Sequence, residues 1–284
     1  MENQKVWFVT GASKGLGLVL VQKLLANGLK VAATSRNMTD LHQAVSGQTD
    51  LFLPLQVDLK NESSVQQAIE KTVATFGNID IVVNNAGYGL TGSIEELTDS
   101  ETRENFEVNV FGTLNVIRKA MPYLREQKSG HIFNISSIGG FTGDFPGFAI
   151  YCATKFAVVG LTESLAAEVK SFGIKVTVVE PGYFRTNFLT SGSLGTPKNE
   201  IAEYKEVREV QNAHQQDING NQPGDPAKAA DVLIRIASEA NPPLNLFLGQ
   251  DAYDLAQAKI EAVGKELENW KEVTISTGFE VEKV

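Results

Sequence analysis

Cysteine is nearly absent from this chain of 284 residues, where Cys152 stands alone. One cysteine cannot close an intramolecular disulfide or build a cysteine-rich metal cluster. Histidine is almost as scarce: His42, His131 and His214 are scattered without zinc-ligand spacing, so no metal site is expected. Positive charge is also short, with 25 Lys and Arg against 34 Asp and Glu and a formal net charge of −9. That balance argues against nucleic acid or an anionic membrane surface as a partner. No apolar run approaches the roughly 18 residues of a membrane span. The polar start, residues 1–5, leads directly into a strand pattern, without the apolar stretch of a signal peptide. The expected location is the cytoplasm.

What is present is the composition of a globular protein, 42% hydrophobic and 21% charged. The length suits one domain with a substantial core, and neither a linker nor an internal repeat divides residues 1–284. Residues 5–10 (KVWFVT) read as a strand, residues 11–17 (GASKGLG) as a turn and residues 18–27 as a helix. A glycine-rich turn in that setting is a dinucleotide-binding signal. Gly11 permits the tight turn, while Gly15 and Gly17 let a pyrophosphate approach the free N–H groups of the helix start.

A second strand over residues 30–35 ends at Ser35-Arg36. An NAD site usually offers a carboxylate to the adenosine ribose at this place. Here Arg36, with Lys14 in the glycine turn, offers cations suited to the extra phosphate of NADP. A third strand, 51–57, runs into Asp58-Leu59, where Asp58 either meets a ligand or caps the helix expected at 62–76. A fourth, 79–83, runs into Asn84-Asn85-Ala86-Gly87, small residues that allow close backbone approach. A helical region, 100–126, holds Asn109 among apolar neighbours, where it either bends the helix or holds a water.

A fifth strand, 131–135, delivers Ser136 and Ser137 to the same edge, and the next helix carries Tyr151 and Lys155 at i and i+4, on one face. An ammonium near a phenol favours the phenolate, so a lowered Tyr151 pKa and a proton-transfer role are expected. Strands at 174–179, ending at Pro181-Gly182, and at 244–248 complete about seven. The chain therefore reads as α/β, a Rossmann-type doubly wound parallel sheet with helices on both faces. Residues 183–226 turn polar and Gly/Asn/Gln-rich around a helix at 201–211, a candidate lid over the ligand edge. A last helix, 251–270, precedes a polar tail, 271–284. Tyr88, Phe141, Phe145, Phe148, Tyr183 and Phe188 fall on ligand-edge loops and are candidates for an apolar pocket.

Taken together these motifs resemble the short-chain dehydrogenase/reductase family from residue 5 to about 248. TGASKGLG at 10–17 resembles its cofactor loop and NNAG at 84–87 its fourth-strand motif. Asn109, Ser137, Tyr151 and Lys155 resemble its catalytic tetrad, and Pro181-Gly182 with Thr186 its nicotinamide-side motif. Ser137 lies fourteen residues before Tyr151, one more than is usual in the family, which leaves Ser136 as a rival.

The resemblance implies that Tyr151 exchanges a proton with a carbonyl or alcohol oxygen, and that Ser137 polarises that oxygen. Lys155 would tune Tyr151 and hold the nicotinamide ribose, and Asn109 would place a water. Gly11, Ser13, Leu16, Asp58, Leu59, Asn85, Ala86, Gly87, Pro181, Gly182 and Thr186 would contact the cofactor, with Lys14 and Arg36 favouring NADP(H) over NAD(H). The chain's ending resembles carbonyl reductases and hydroxysteroid or retinol dehydrogenase-like members. The implied substrate is a fairly apolar ketone or alcohol; a 3-oxoacyl-thioester reductase and a non-catalytic NADP-binding regulator are the alternatives. Relatives of this kind form dimers or tetramers through helices matching 100–126 and 150–172, so a homodimer or homotetramer is expected.

Overall fold

The computed structural model describes residues 4–45 and 50–279. In chain order it contains strand β1 (Val6–Val9), helix α1 (Gly15–Ala26), β2 (Lys30–Ser35), α2 (Met38–Ala44), β3 (Phe52–Gln56), α3 (Glu62–Phe76), β4 (Ile81–Asn84) and the short β5 (Gly89–Leu90). Helix α4 (Asp99–Phe106) passes through a wide π turn (Glu107–Phe111) into α5 (Gly112–Gln127). Then come β6 (Gly130–Ile135), α6 (Ala149–Val169), β7 (Ile174–Pro181), β8 (Leu194–Gly195) and α7 (Lys205–Asn212). A second π turn (Ala213–Ile218) leads to α8 (Pro226–Ile236), β9 (Asn245–Leu248), α9 (Gln250–Asn269) and α10 (Lys271–Ile275).

Seven strands make one sheet in the order β3-β2-β1-β4-β6-β7-β9, every neighbouring pair parallel. The chain begins in the middle, winds to one edge through β2 and β3, crosses back to β4 and winds to the other edge. The reversal opens a crevice between the carboxyl ends of β1 and β4, where open α/β sheets bind ligands.

The strands read as continuous apolar runs because both faces are covered, yet their side chains still alternate. Trp7, Val9, Val31, Ala33, Ile81 and Val83 pack with Leu20, Leu24 and Leu233 of α1 and α8. Phe8, Ala32, Val82 and Ile132 point the other way, onto Ile69, Val116, Ala120 and Leu165 of α3, α5 and α6. Each buried Val, Leu, Ile or Phe among them contributes about 1.5–3 kcal/mol relative to exposure.

One helical stretch, Ala149–Phe172, is long and apolar enough by composition alone to cross a bilayer, but 44% of its apolar window is buried inside the fold. Its apolarity has a local cause: Val158, Leu165 and Val169 are buried in the α/β core. The expected helix at 201–211 starts later, at Lys205, and continues as a π turn. Helix α2, capped by the Asn37 carbonyl accepting the Thr39 N–H, and the two-residue pair β5–β8 have no counterpart in the sequence reading. The expected tail is helical over Lys271–Ile275, and its residues 280–284 lie outside the described residues.

Side chains clasp the sheet at the amino ends of its strands. The Asp80 carboxylate accepts the Val6 N–H at 2.7 Å. The Gln127 amide donates to the Ile79 carbonyl at 2.8 Å, and Lys5 Nζ donates to the Ala237 carbonyl at 3.0 Å. This rim lies opposite the ligand edge.

Candidate active site

At the carboxyl edge, hydrogen bonds lock the strand ends to one another before any ligand is considered. Thr10, last residue of the β1 run, accepts the N–H groups of Asn85 and Ala86 on its hydroxyl at 3.0 and 3.1 Å. The Asn85 amide reaches back to the carbonyls of Thr10 and Gly11. Gly11 sits at φ +65°, and a Cβ there would come within 2.7 Å of the Ala86 Cα. Two glycines are thus required by geometry: Gly11 by its turn and its neighbour, and Gly17 because its missing side chain is where Asn85 lies.

Helix α1 starts without a side-chain cap and without an acid in its first turn. Its N–H groups and the positive end of its dipole therefore remain available to an anion. Gly11, Ser13, Lys14, Gly15 and Leu16 line a cavity of about 840 Å³ that continues past Arg36, Asp58 and Leu59 on one side and Asn85, Ala86 and Gly87 on the other. The uncapped helix start and this bare glycine wall fit a dinucleotide pyrophosphate. Burial, and then the neighbouring Arg36 guanidinium, hold the Lys14 ammonium below its ordinary pKa, with Asp40 opposing them. Lys14 Nζ donates to the Gly192 carbonyl at 2.6 Å, tying the glycine turn to the far wall. Asp58 does not cap α3, a role filled by Asn61, whose side chain accepts the Ser64 N–H. Asp58 instead accepts the Lys60 N–H at 3.1 Å and lines the cavity.

Of the four tetrad candidates, Ser137, Tyr151 and Lys155 line the same cavity and Asn109 does not. Asn109 lies in the π turn and is spent on the backbone of Tyr88: its Oδ1 accepts that N–H at 3.0 Å, and its Nδ2 donates to that carbonyl at 3.0 Å. It also donates to Thr154 Oγ1 at 3.1 Å, which fastens the turn to α6. A Cβ on Gly87 would meet Asn109 Oδ1 at 3.0 Å and Lys155 Nζ at 3.5 Å, a tight approach to the first and an ordinary contact with the second.

The two serines separate by geometry. Ser136 turns into the protein and donates to the Lys155 carbonyl at 2.9 Å. Ser137 accepts the Gly139 N–H at 3.1 Å and lies on the side of Tyr151.

Lys155 is buried, and Nζ donates to the Ile135 carbonyl at 2.9 Å while standing 5.8 Å from the Tyr151 ring centre. Burial pushes its pKa down to about 8. Tyr151 does not follow the expectation of a lowered pKa. Burial raises it well above the ordinary phenol value, and the Ser137 side chain opposes this only in part. Desolvation dominates, and the phenol keeps its proton.

Residues 183–224 supply the far wall through Tyr183, Phe184, Thr186, Phe188, Leu189, His214 and Gln222. Thr186 caps a short 3₁₀ turn by accepting the Phe188 N–H. Gly182 is held to a bare backbone by the Asp251 carboxylate, which accepts the Tyr183 N–H at 2.6 Å. A buried ion pair pins this wall to the body: Arg208 Nη2 lies 2.7 Å from Glu96 Oε2, and Glu96 Oε1 accepts the Ile201 N–H at 2.8 Å. Burial pulls the Glu96 pKa up, but the Ile201 and Ser93 hydrogen bonds and the Arg208 charge outweigh it and hold it low.

Of the aromatics expected here, Tyr88, Phe145, Phe148, Tyr183 and Phe188 line the cavity. Phe141 does not; it packs edge-on against Phe247 at 5.1 Å. Asn109 and Gly17 lie behind the wall and shape it. The sequence reading did not include Asp40, Cys152, His214 or Gln222, which also reach the cavity.

A doubly wound parallel sheet with a glycine turn, an uncapped helix start and a buried Tyr–Lys pair at its switch point defines a dinucleotide-dependent oxidoreductase. The comparisons with known proteins make that statement specific. The short chain dehydrogenase family matches residues 5–194. "Oxidoreductase BOA17" of Botryotinia fuckeliana is 37% identical over 276 residues, covering 96% of this chain and 99% of that protein. The "3-ketodihydrosphingosine reductase" of Bacteroides thetaiotaomicron is 34% identical over 247 residues, covering 86% and 88%. A short-chain dehydrogenase from Streptomyces avermitilis superposes with a TM-score of 0.90 at 38% identity, covering 98% of this chain and all of that one. The chain belongs to the short-chain dehydrogenase/reductase family and is an oxidoreductase of the hydride-transferring type, dependent on a nicotinamide dinucleotide. Its relatives are varied, and the family is the level at which they agree.

Proposed function

We propose that the protein is an NADP(H)-dependent carbonyl reductase acting on a fairly apolar ketone, or in reverse on a secondary alcohol, with Tyr151 as the general acid/base. The observation that carries this reading is the placement of Tyr151, Ser137 and Lys155 on the cavity that the glycine turn, Lys14 and Arg36 also line. The dinucleotide, when bound, supplies or accepts the hydride. Tyr151, whose burial keeps it protonated, is poised to donate its proton to a carbonyl oxygen. Ser137 hydrogen-bonds to that same oxygen and orients it. Lys155 retains substantial positive charge at neutral pH and stabilises the phenolate left behind. Arg36 and Lys14 recognise the phosphate that distinguishes NADP from NAD.

Phe145, Phe148, Phe188 and Leu189 give the substrate end its apolar character. Residues 183–226 serve as the lid that excludes water from it. The test is Tyr151→Phe, assayed by oxidation of NADPH against a panel of aldehydes and ketones alongside a dinucleotide-binding titration. Turnover is expected to fall by about 10²–10⁴ with NADPH affinity unchanged. Undiminished turnover would remove Tyr151 from the reaction.

A further inference from the structure

The cavity has a second polar feature, away from Tyr151, that proton transfer does not use. His214, only 7% exposed, lies in the π turn Ala213–Ile218. Its Nδ1 is 2.7 Å from the Val210 carbonyl, and its Nε2 is 2.8 Å from the Tyr183 hydroxyl. A carbonyl can only accept, so Nδ1 carries the ring proton. The imidazole is neutral because burial disfavours its cation, so Nε2 is bare and accepts the Tyr183 O–H. The proton of Tyr183 is thereby committed, and what its oxygen offers the cavity is lone pairs.

The spacing is set by a row of rings. His214 packs on Phe148 with centroids 4.7 Å apart, and Phe148 meets Tyr151 edge-on at 6.2 Å. One phenyl ring, that of Phe148, therefore lies between the reacting phenol and His214.

We propose that Tyr183 and His214 form a hydrogen-bond-accepting subsite that binds a hydroxyl group of the substrate, about one ring's width from the carbonyl that meets Tyr151. The preferred substrates are then ketones bearing a distal hydroxyl, and the corresponding diols in reverse. This rests on the reading of Tyr151 as the proton donor, and the experiment separates the two. A site built around hydrogen-bonding a hydroxyl penalises an analogue that lacks it far more than an apolar pocket penalises a missing methylene.

The probes are benzylacetone, its para-hydroxy analogue and its para-methoxy analogue, the last able only to accept. Each is titrated calorimetrically into the protein with and without saturating NADP⁺, conditions in which no ketone is reduced. The para-hydroxy compound is expected to bind roughly tenfold more tightly than benzylacetone. Tyr183→Phe should abolish that preference. His214→Ala, which frees the Tyr183 O–H to donate, should shift it toward the methoxy compound, an inversion that general loosening of the wall would not produce. Equal affinity for the three probes in the unaltered protein, or a hydroxyl preference that survives Tyr183→Phe, overturns the subsite. A hydroxyl preference without NADPH turnover of any probe supports the subsite and counts against the catalytic reading of Tyr151.

Discussion

The two walls of the cavity are held by different kinds of bond. The floor, made by the ends of β1, β4 and β6 and the start of α6, is fixed by short polar side chains tied to backbone. Thr10 and Asn85 bind the glycine turn, Asn109 binds Tyr88, and a buried relay runs from Asn84 to Asn134 at 2.8 Å and on to Thr162 at 2.9 Å. The roof, residues 183–224, is attached by the two-residue backbone pair β5–β8 and by long-range side-chain contacts: Arg208 with Glu96, the Tyr183 N–H with Asp251, and Lys14 with Gly192. The difference leads to a testable expectation: changes in the floor should disturb dinucleotide binding more than changes in the roof.

Substitutions sharpen or break that contrast, and the floor should give the largest effect. Gly11→Ala forces an alanine to φ +65° and into the Ala86 backbone. Dinucleotide affinity is expected to fall by about 100-fold or more, equivalent to roughly 3 kcal/mol. An affinity within threefold of the parent would show that the floor yields as readily as the roof.

Arg208→Met comes next. It leaves the Glu96 carboxylate buried without its countercharge, and because Arg208 is partly wet the loss should be about 2 kcal/mol in chemical denaturation. The Michaelis constant for ketone should rise while NADPH affinity holds; equal losses in both would erase the contrast. Glu96 also sets a pH dependence. Its folded-state pKa is depressed, so its contribution is present above the ordinary carboxylate value and is lost as pH falls through the lower folded value. Arg208→Met should make this acid limb shallower in part, because the Ile201 and Ser93 hydrogen bonds that lower the pKa more remain.

Lys155 gives an opposite sign within the floor. Its folded pKa of about 8 lies below the ordinary lysine value of 10.5, so the unfolded chain binds more protons between these values and stability rises with pH there. Relative to Lys155→Met, the parent should gain up to about 3 kcal/mol across that window. A flat difference would mean the ammonium is solvated and the floor open to water.

The smallest expected effect is at the cofactor's far end. Arg36→Ala should weaken NADPH by about tenfold and leave NADH unchanged, consistent with one exposed charged contact. Equal weakening of the two would remove Arg36 from phosphate recognition.

How much of this was legible in the chain follows the same division. The floor's architecture was, because glycines, the Asn-Asn-Ala-Gly run and the i, i+4 spacing of Tyr151 and Lys155 are local patterns bound to strand ends. The seven-strand parallel sheet was, because uninterrupted Val/Ile runs alternated with helical spacing. Three floor details were not. Periodicity cannot show that Asn109 sits in a π turn, alternation alone could not choose between Ser136 and Ser137, and the balance of desolvation against charge at Tyr151 depends on burial. The roof was visible as a polar insertion with a helix and with Tyr183, Thr186 and Phe188 as candidate lining residues. Nothing near His214 or Gln222 in sequence marks them as cavity residues, since they arrive there through contacts with residues such as Tyr183, 31 positions away. Phe141 failed for the converse reason: its loop reaches the ligand edge, but its ring finds Phe247 first.

The clasp at the amino ends of the strands has a practical corollary. Lys5, Asp80 and Gln127 close a rim that contributes nothing to the cavity, because a parallel sheet sends every binding group to its other edge. A support, label or fused partner attached on that side would hold the protein mouth-outward, leaving the opening free and the roof able to move.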